Sequence, residues 1–508
     1  MLRICLALVA AQTPASIQQA VHSITPADVR RRIGIIADDS MLGRATPSPQ
    51  LEQVAQYIAS EFRRFGLRPG GDNGGYLQRY SIARRQVDTA RAVLEFTGPT
   101  GTTRLRPGID VNLLPFGQPG NNVITGPIVL FAGPGDTLRP LAGADVRGAW
   151  IAIIATADST GLRLEDPAPD AARTAGALGV LVISNRPDTM WQNRLGRTLR
   201  PQLMPVWRLS PDTVSRPAFP EIRDAQAAHV MGVDPVALRT QRTRSAVRLP
   251  GITLTYRPAY RDQGSASAPN VIGILEGSDP RLKSEYLFFT GHMDHVGTPS
   301  SGEGCQARGG DSICNGADDD GSGTVAVIEA AEAFSRLTPR PKRSLVFMTV
   351  SGEERGLWGS EYFSEHPTLP LGSIVADLNT DMVGRNWKDT IAVIGKEHSD
   401  LGATLNRVGA AHPELHMQPI DDIWPQENFY FRSDHYNFAR KGVPILFFFN
   451  GTHADYHQVS DSPDKIDGEK EARIVQLVFY LGLDIANAAQ RPQWKPDSYR
   501  RIVQGAQP

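Results

Sequence analysis

Cysteine is scarce here, with 3 in 508 residues, which excludes a small disulfide-stapled scaffold and a cysteine-built zinc framework. An excess of one charge is also missing: 53 Lys and Arg face 54 Asp and Glu, a formal net charge of −1. That balance gives no electrostatic case for nucleic acid or acidic lipid as a partner. No apolar run approaches the roughly 20 residues that a membrane span needs. A Gly-x-Ser-x-Gly nucleophile elbow is absent as well. Its nearest imitation, Gly321-Ser322-Gly323, opens a helix after an acidic turn, which sets the chain against a serine hydrolase.

What is present describes a protein of two or more compact units, since 508 residues exceed the usual size of one domain. Hydrophobic residues at 41% and charged residues at 21% suit a real buried core. Near the N-terminus, Arg3 precedes the apolar stretch Ile4 to Ala11, with small residues Val9 and Ala11 placed for a signal peptidase. Residues 1–22 are therefore expected to be a signal peptide or disordered leader, and the protein to be exported, periplasmic or extracellular. Cys5 would leave with the signal. Cys305 and Cys314 remain, inside one Gly-rich loop, and a disulfide is the expectation; metal binding or two free thiols are the alternatives.

Ser48-Pro49 opens a helix in which Leu51, Val54, Ile58, Phe62 and Phe65 recur at core-facing spacing, ended by Gly66 and Pro69. It belongs to a first segment, 23–89. Over 90–250, short apolar runs such as 128–131, 150–155 and 180–184 alternate with Gly, Pro, Asp and Asn clusters. A small-residue helix is expected over 171–178 between two of these strands. No dense His, Asp and Glu cluster occurs there, so this is expected to be an inserted β-rich module without its own catalytic site. From 251 to 490 the pattern becomes strand–loop–helix, predicting an α/β domain with a mixed, mostly parallel sheet flanked by helices. Strands are expected at 271–275, 286–290, 344–350, 374–378, 391–394 and 445–449. Helices are expected at 324–336, near 360–365, near 399–411 and over 469–489, followed by a tail at 491–508.

Possible ligands sit just past the ends of four of these strands: His292-Met293-Asp294, Glu353-Glu354, Asn379-Thr380-Asp381 and Tyr456-His457. Open α/β sheets place their sites at the carboxyl ends of strands, so segments distant in sequence can converge on one crevice. A fifth piece, Asp318-Asp319-Asp320 in the Gly316–Gly323 turn, sets three adjacent carboxylates before a helix. Each piece alone reads as a polar pair or a capped turn. Together, two His and three acidic ligands with a spare Glu suit two borderline metals in a mixed nitrogen–oxygen site.

These five motifs, in this order, resemble the co-catalytic zinc aminopeptidase family that includes bacterial leucyl aminopeptidase and the glutamate carboxypeptidases. Module 90–250 resembles the protease-associated domain often inserted in that family. The resemblance implies two Zn2+ per chain, one on His292 and Asp381, the other on Glu354 and His457, with Asp319 as the bridge. It implies Glu353 as general base, Asp294 as the group that orients His292, and Tyr456 as a hydroxyl that stabilises the oxyanion. The expected activity is release of N-terminal residues from a peptide substrate. A glutamate-carboxypeptidase-like exopeptidase, a glutaminyl cyclase-like enzyme and a non-catalytic peptide-binding relative are the alternatives. Ser433-Asp434-His435 resembles a segment bordering the substrate pocket. His453 and Asp455 are expected to bond within their turn, His295 to be a bystander, and Trp358 and Phe363 to pack the core. Arg385, Arg432 and Arg440 are the cations that a substrate carboxylate would need. Oligomeric state and side-chain preference are not readable from these residues.

Overall fold

One device starts three helices near the N-terminus: a hydroxyl that accepts a free backbone N–H, followed by Pro in the first turn. Thr13 accepts from Ser16 N at 3.2 Å before Pro14–Val21, Thr25 from Asp28 N at 3.1 Å before Pro26–Ile36, and Ser48 from Leu51 N at 3.0 Å before Pro49–Arg64. The computed structural model describes residues 12–99, 101–113, 122–133, 141, 144–158, 161–163, 172, 175–194, 206–210 and 218–504. Of the expected leader, residues 1–11 lie outside these, while Pro14–Val21 is helical with Ala20 and Val21 buried. The helix expected at 171–178 falls partly outside the described residues.

Contacts divide the chain into two units, 1–80 with 267–499 and 81–266 with 500–508. Seven of the strands in the first unit's sheet position the site: β1 (Tyr260–Leu275), β2 (Tyr286–His292), β3 (Ser344–Val350), β4 (Ile374–Thr380), β5 (Thr390–Ile394), β6 (Gln418–Ile420) and β7 (Ile445–Phe449). They lie in the order β1-β3-β2-β4-β7-β5-β6. β2 pairs in parallel with β3 and β4, β4 with β7, and β5 with β6; β1–β3 and β5–β7 are antiparallel. The fold is thus the expected mixed, mostly parallel α/β sheet.

Both faces of that sheet are covered, which is why its strands read as unbroken apolar runs. Successive β2 residues show it. Phe289 packs on Phe334 and Phe347, while Phe288 packs on Phe363 and Phe438. The two latter rings lie on helices Trp358–Glu365 and His435–Ala439. Behind Phe334, helix Gly323–Ser335 packs with Gly468–Asn487 and Pro26–Ile36. Arg32, fully buried, ion-pairs there with Glu61 at 3.1 Å and with Glu329 and Glu332, linking three helices.

The second unit holds a separate eight-strand path that includes Ile124–Ala132, Trp150–Asp158 and Gly179–Ser184, paired in parallel, and Pro220–Arg223 beside them. Apolar residues fill both of its faces. Among the described residues it contains no group of His, Cys, Asp and Glu spaced for a metal ion. No described helix of the chain is long and apolar enough to cross a membrane.

Candidate metal centre

The carboxyl ends of β2, β3, β4 and β7 deliver the motif residues to one place in the first unit. His292 ends β2, and its Nε2 lies 3.3 Å from Asp319 Oδ1 and 3.6 Å from Asp381 Oδ1, just beyond β4. Past β7, His457 Nε2 lies 3.0 Å from Asp319 Oδ2 and 3.1 Å from Glu354 Oε2. Two groups are spaced to hold a metal ion, His292–Asp319–Asp381 and His295–Asp319–Glu354, and Asp319 belongs to both.

The three adjacent aspartates part company through their hydrogen bonds. Asp318 accepts from Gly384 N at 2.7 Å and from Ser322 Oγ, and its other oxygen meets His453 Nε2 at 3.1 Å. Asp320 accepts from His292 N, Gly323 N and Met382 N. Both carboxylates are spent on fastening this loop to the end of β2 and to the segments that follow β4 and β7. Asp319 alone points its two oxygens at the imidazoles.

Asp294 reaches the His292 ring through its backbone: its carbonyl lies 3.2 Å from Nδ1, while its carboxylate Oδ1 is 3.8 Å away. The carboxylate instead accepts from Thr46 Oγ1 at 2.8 Å and Glu353 N at 3.3 Å, so it also holds the turn that carries Glu353. Ser433 Oγ donates to Asp381 Oδ2 at 2.8 Å, Asp434 accepts from Ser360, and His435 meets the Tyr430 carbonyl. Ser433 also lines the cleft, so the segment borders the pocket as expected, while Asp434 and His435 fasten it to its neighbours. Asp455 pairs with Arg385 and Lys465, each at 2.9 Å, and Arg440 lies 3.8 Å from both Glu361 and Glu365. Trp358 and Phe363 are buried.

Two participants escaped the sequence reading. Arg44, fully buried, donates to the carbonyls of Met293, Asn315 and Gly316, clamping the His292 and Asp319 loops together. A lone Arg after a turn gives no sequence signal of that role. The second is His295, expected to be a bystander. The structure corrects this: its Nδ1 lies 2.9 Å from Glu354 Oε1 and 3.7 Å from Asp319 Oδ2. The His-x-Asp-His spacing was visible, but nothing local says that the second ring turns inward.

Charge makes the case for a cation. Burial raises the Glu353 carboxyl well above its usual range; His292 opposes this and Glu354, Asp434 and Asp381 add to it. Burial disfavours charge on His292, yet Asp381, Asp320 and Glu353 push its pKa well up. Burial also works against an ionised Asp319, but the imidazoles of His292 and His457 facing its two oxygens outweigh it and hold Asp319 well below its usual value. So many buried carboxylates need positive charge among them. Four buried atoms, His295 Nδ1, Asp319 Oδ2, Glu354 Oε1 and His457 Nε2, have no hydrogen-bond partner among the described residues. Atoms bound tetrahedrally to zinc lie about 3.3 Å from one another, close to the separations measured here. The donor set fits.

The cleft in front of these groups is lined by His292, Asp319, Glu353 and Asp381, by the rings of Phe429, Phe447, Phe449 and Tyr456, and by Met382 and Arg432. Tyr456 stacks on His457 with ring centroids 3.9 Å apart.

Residues 270–482, which carry every motif residue, match the model of Peptidase family M28. That is the family grouping the motifs resemble. Among curated proteins, the chain is 30% identical over 204 residues to "Leupeptin-inactivating enzyme 1" of Streptomyces exfoliatus, covering 40% of this chain and 40% of that one. It is 27% identical over 230 residues to a "Probable leucine aminopeptidase" of Arthroderma benhamiae, covering 43% of this chain and 58% of that one. The chain thus spans only about 40–58% of the length of these relatives. Among solved structures, an aminopeptidase from Aneurinibacillus sp. strain AM-1 aligns with 94% of this chain and 97% of its own, at 19% identity and a TM-score of 0.48.

Proposed function

We propose that this chain is a metal-dependent exopeptidase that releases residues from the free N-terminus of a peptide, using two zinc ions. The observation that carries the reading is the pair of ligand groups sharing Asp319, with Glu353 beside them in an open cleft. His292 and Asp381 would hold one ion, Glu354 and His457 the other, and Asp319 both. When bound, the ions supply Lewis-acid polarisation of the scissile carbonyl and make water acidic enough to be a nucleophile at neutral pH. Glu353, whose backbone N–H donates to Asp294 Oδ1 and which lines the cleft, is left to take a proton from the attacking water. It then passes that proton to the departing amine. The Tyr456 hydroxyl donates to the carbonyl oxygen as negative charge develops there.

Direction of cleavage follows from charge. Glu353 and Asp381 line the cleft, where a carboxylate oxygen not committed to the ions can hold a substrate ammonium. Of the three cations suited to a carboxylate, Arg385 pairs with Asp455, Arg440 lies near Glu361 and Glu365, and Arg432, which lines the cleft, is 3.5 Å from Glu427. Export and an inserted protease-associated domain over 90–250 are part of the same proposal, supported by the leader pattern and by the family resemblance. The test compares a peptide bearing a free N-terminus with its N-acetylated twin by product mass spectrometry, with and without a chelator. The free peptide should lose N-terminal residues one at a time and the chelator should stop it. Equal cleavage of the acetylated twin, or first release from the C-terminal end, refutes the direction; chelator-insensitive cleavage refutes the metal.

A further inference from the structure

We infer that His295 is a fourth protein ligand of the ion held by Glu354 and His457, so that the two metal positions are unequal. This rests on the two-ion reading above. The ring of His295 is fully buried and neither of its nitrogens makes a hydrogen bond among the described residues. A buried imidazole left bare is destabilising, so a native protein retains one only where something else meets it. Nothing apolar explains the placement, because Nδ1 faces Glu354 Oε1 at 2.9 Å and Asp319 Oδ2 at 3.7 Å.

The other orphaned atoms point to the same spot. Asp319 Oδ2, Glu354 Oε1 and His457 Nε2 are also buried without hydrogen bonds, and with His295 Nδ1 they form one constellation. The rings of His295 and His457 meet edge to face with centroids 5.5 Å apart, so they approach the shared position from different sides. Two imidazole nitrogens and two carboxylate oxygens are a complete tetrahedral set for zinc. The backbone makes room for this ring. Gly316 has φ of +61°, and a Cβ there would meet His295 ring carbons at 2.4 and 2.5 Å. By contrast, the position at His292 has three side chains, His292, Asp319 and Asp381, and keeps a place for water or substrate.

The bound ions should therefore differ in affinity, with the His295 position filling first and emptying last. An alternative role for His295 is to orient Glu354 from outside the coordination sphere, which typically contributes only about 10–100-fold in metal affinity. Counting imidazoles separates the two. Full-length metal-free protein is loaded with zinc and studied by X-ray absorption, and zinc binding by the wild type, His295→Ala and His295→Gln is titrated calorimetrically. The expected result is three imidazoles shared by two ions in the wild type and two in either variant. One binding step should weaken by more than about 100-fold with the other unchanged. The chelator-treated variants should still unfold in one cooperative transition, as the wild type does. Two imidazoles in the wild type, or variants that bind both ions as tightly as the wild type, overturn the assignment of His295 while leaving the metal reading intact. Wild-type protein that takes up no zinc overturns both. If neither variant folds, the wild-type imidazole count decides alone.

Discussion

Glu353 and Glu354 are chemically identical neighbours with opposite surroundings. Glu354 sits between two imidazoles, at 2.9 Å from His295 and 3.1 Å from His457, whereas the Glu353 side chain faces the cleft. Glu353→Gln should leave zinc content near the wild-type level and lower turnover on the order of 10²–10⁴-fold. Glu354→Gln should lose zinc. Metal analysis beside steady-state kinetics checks both, and near-normal turnover of Glu353→Gln would sink the general-base assignment. At this scale the sequence was legible wherever a residue type is rare at a strand end, as for His292, Asp381 and His457. It was less legible where hydrogen bonds decide. The resemblance singles out Asp319 among three adjacent aspartates, but the physical reason, that Asp318 and Asp320 are spent on backbone N–H groups, appears only in three dimensions. His295 and Arg44 were missed for the same reason.

Elements follow local chemistry more closely. The Pro49–Arg64 helix starts where Ser48 and Pro49 say it should, and β2, β3, β4 and β7 lie on the apolar runs that announced them. Thr13-Pro14 and Thr25-Pro26 carry the same start signal, yet the first lay inside the stretch read as a leader and the second just beyond it, and neither was read as a helix. Strand Gln418–Ile420 has only 3 residues, too few to show a period. Cys305 and Cys314 are joined, as expected from their isolation in one loop. That loop lies between His292 and Asp319, and Cys314 is anchored by its N–H to the Gly297 carbonyl at 3.0 Å. Replacing both cysteines by Ser should lower the unfolding free energy by roughly 2–3 kcal/mol, the chain-entropy value for so short a loop. Denaturant titration of the double variant measures it. Two titratable thiols in the native oxidised protein would refute the bond itself.

Over the whole molecule, 53 cationic and 54 anionic side chains nearly cancel, so acid sensitivity should come from individual buried groups rather than from gross repulsion near neutrality. His435 is such a group, lying apart from the metal-holding side chains. Burial lowers its pKa from 6.5 to about 3, only partly opposed by the hydrogen bond to the Tyr430 carbonyl at 2.8 Å. Its ring stacks on Phe447 with centroids 4.3 Å apart, and Nδ1 has no partner among the described residues. The folded protein therefore keeps the ring neutral where the unfolded chain protonates it. The contribution is fully present above pH 6.5 and is lost as pH falls toward about 3, because the unfolded state then binds one more proton. The slope from this group approaches 1.36 kcal/mol per pH unit once the pH is well below 6.5. His435→Phe keeps the aromatic stack and removes the titration. It also removes the hydrogen bond from the ring to the Tyr430 carbonyl, which should cost about 1 kcal/mol at pH 8. The variant should therefore be the less stable protein at pH 8. The gap should close within about one pH unit below 6.5 and reverse further down. Denaturant midpoints of chelator-treated wild type and variant, taken at half-unit steps between about pH 5 and 8, read the crossing directly. Parallel curves across that range would mean that His435 gains its proton in the folded state after all.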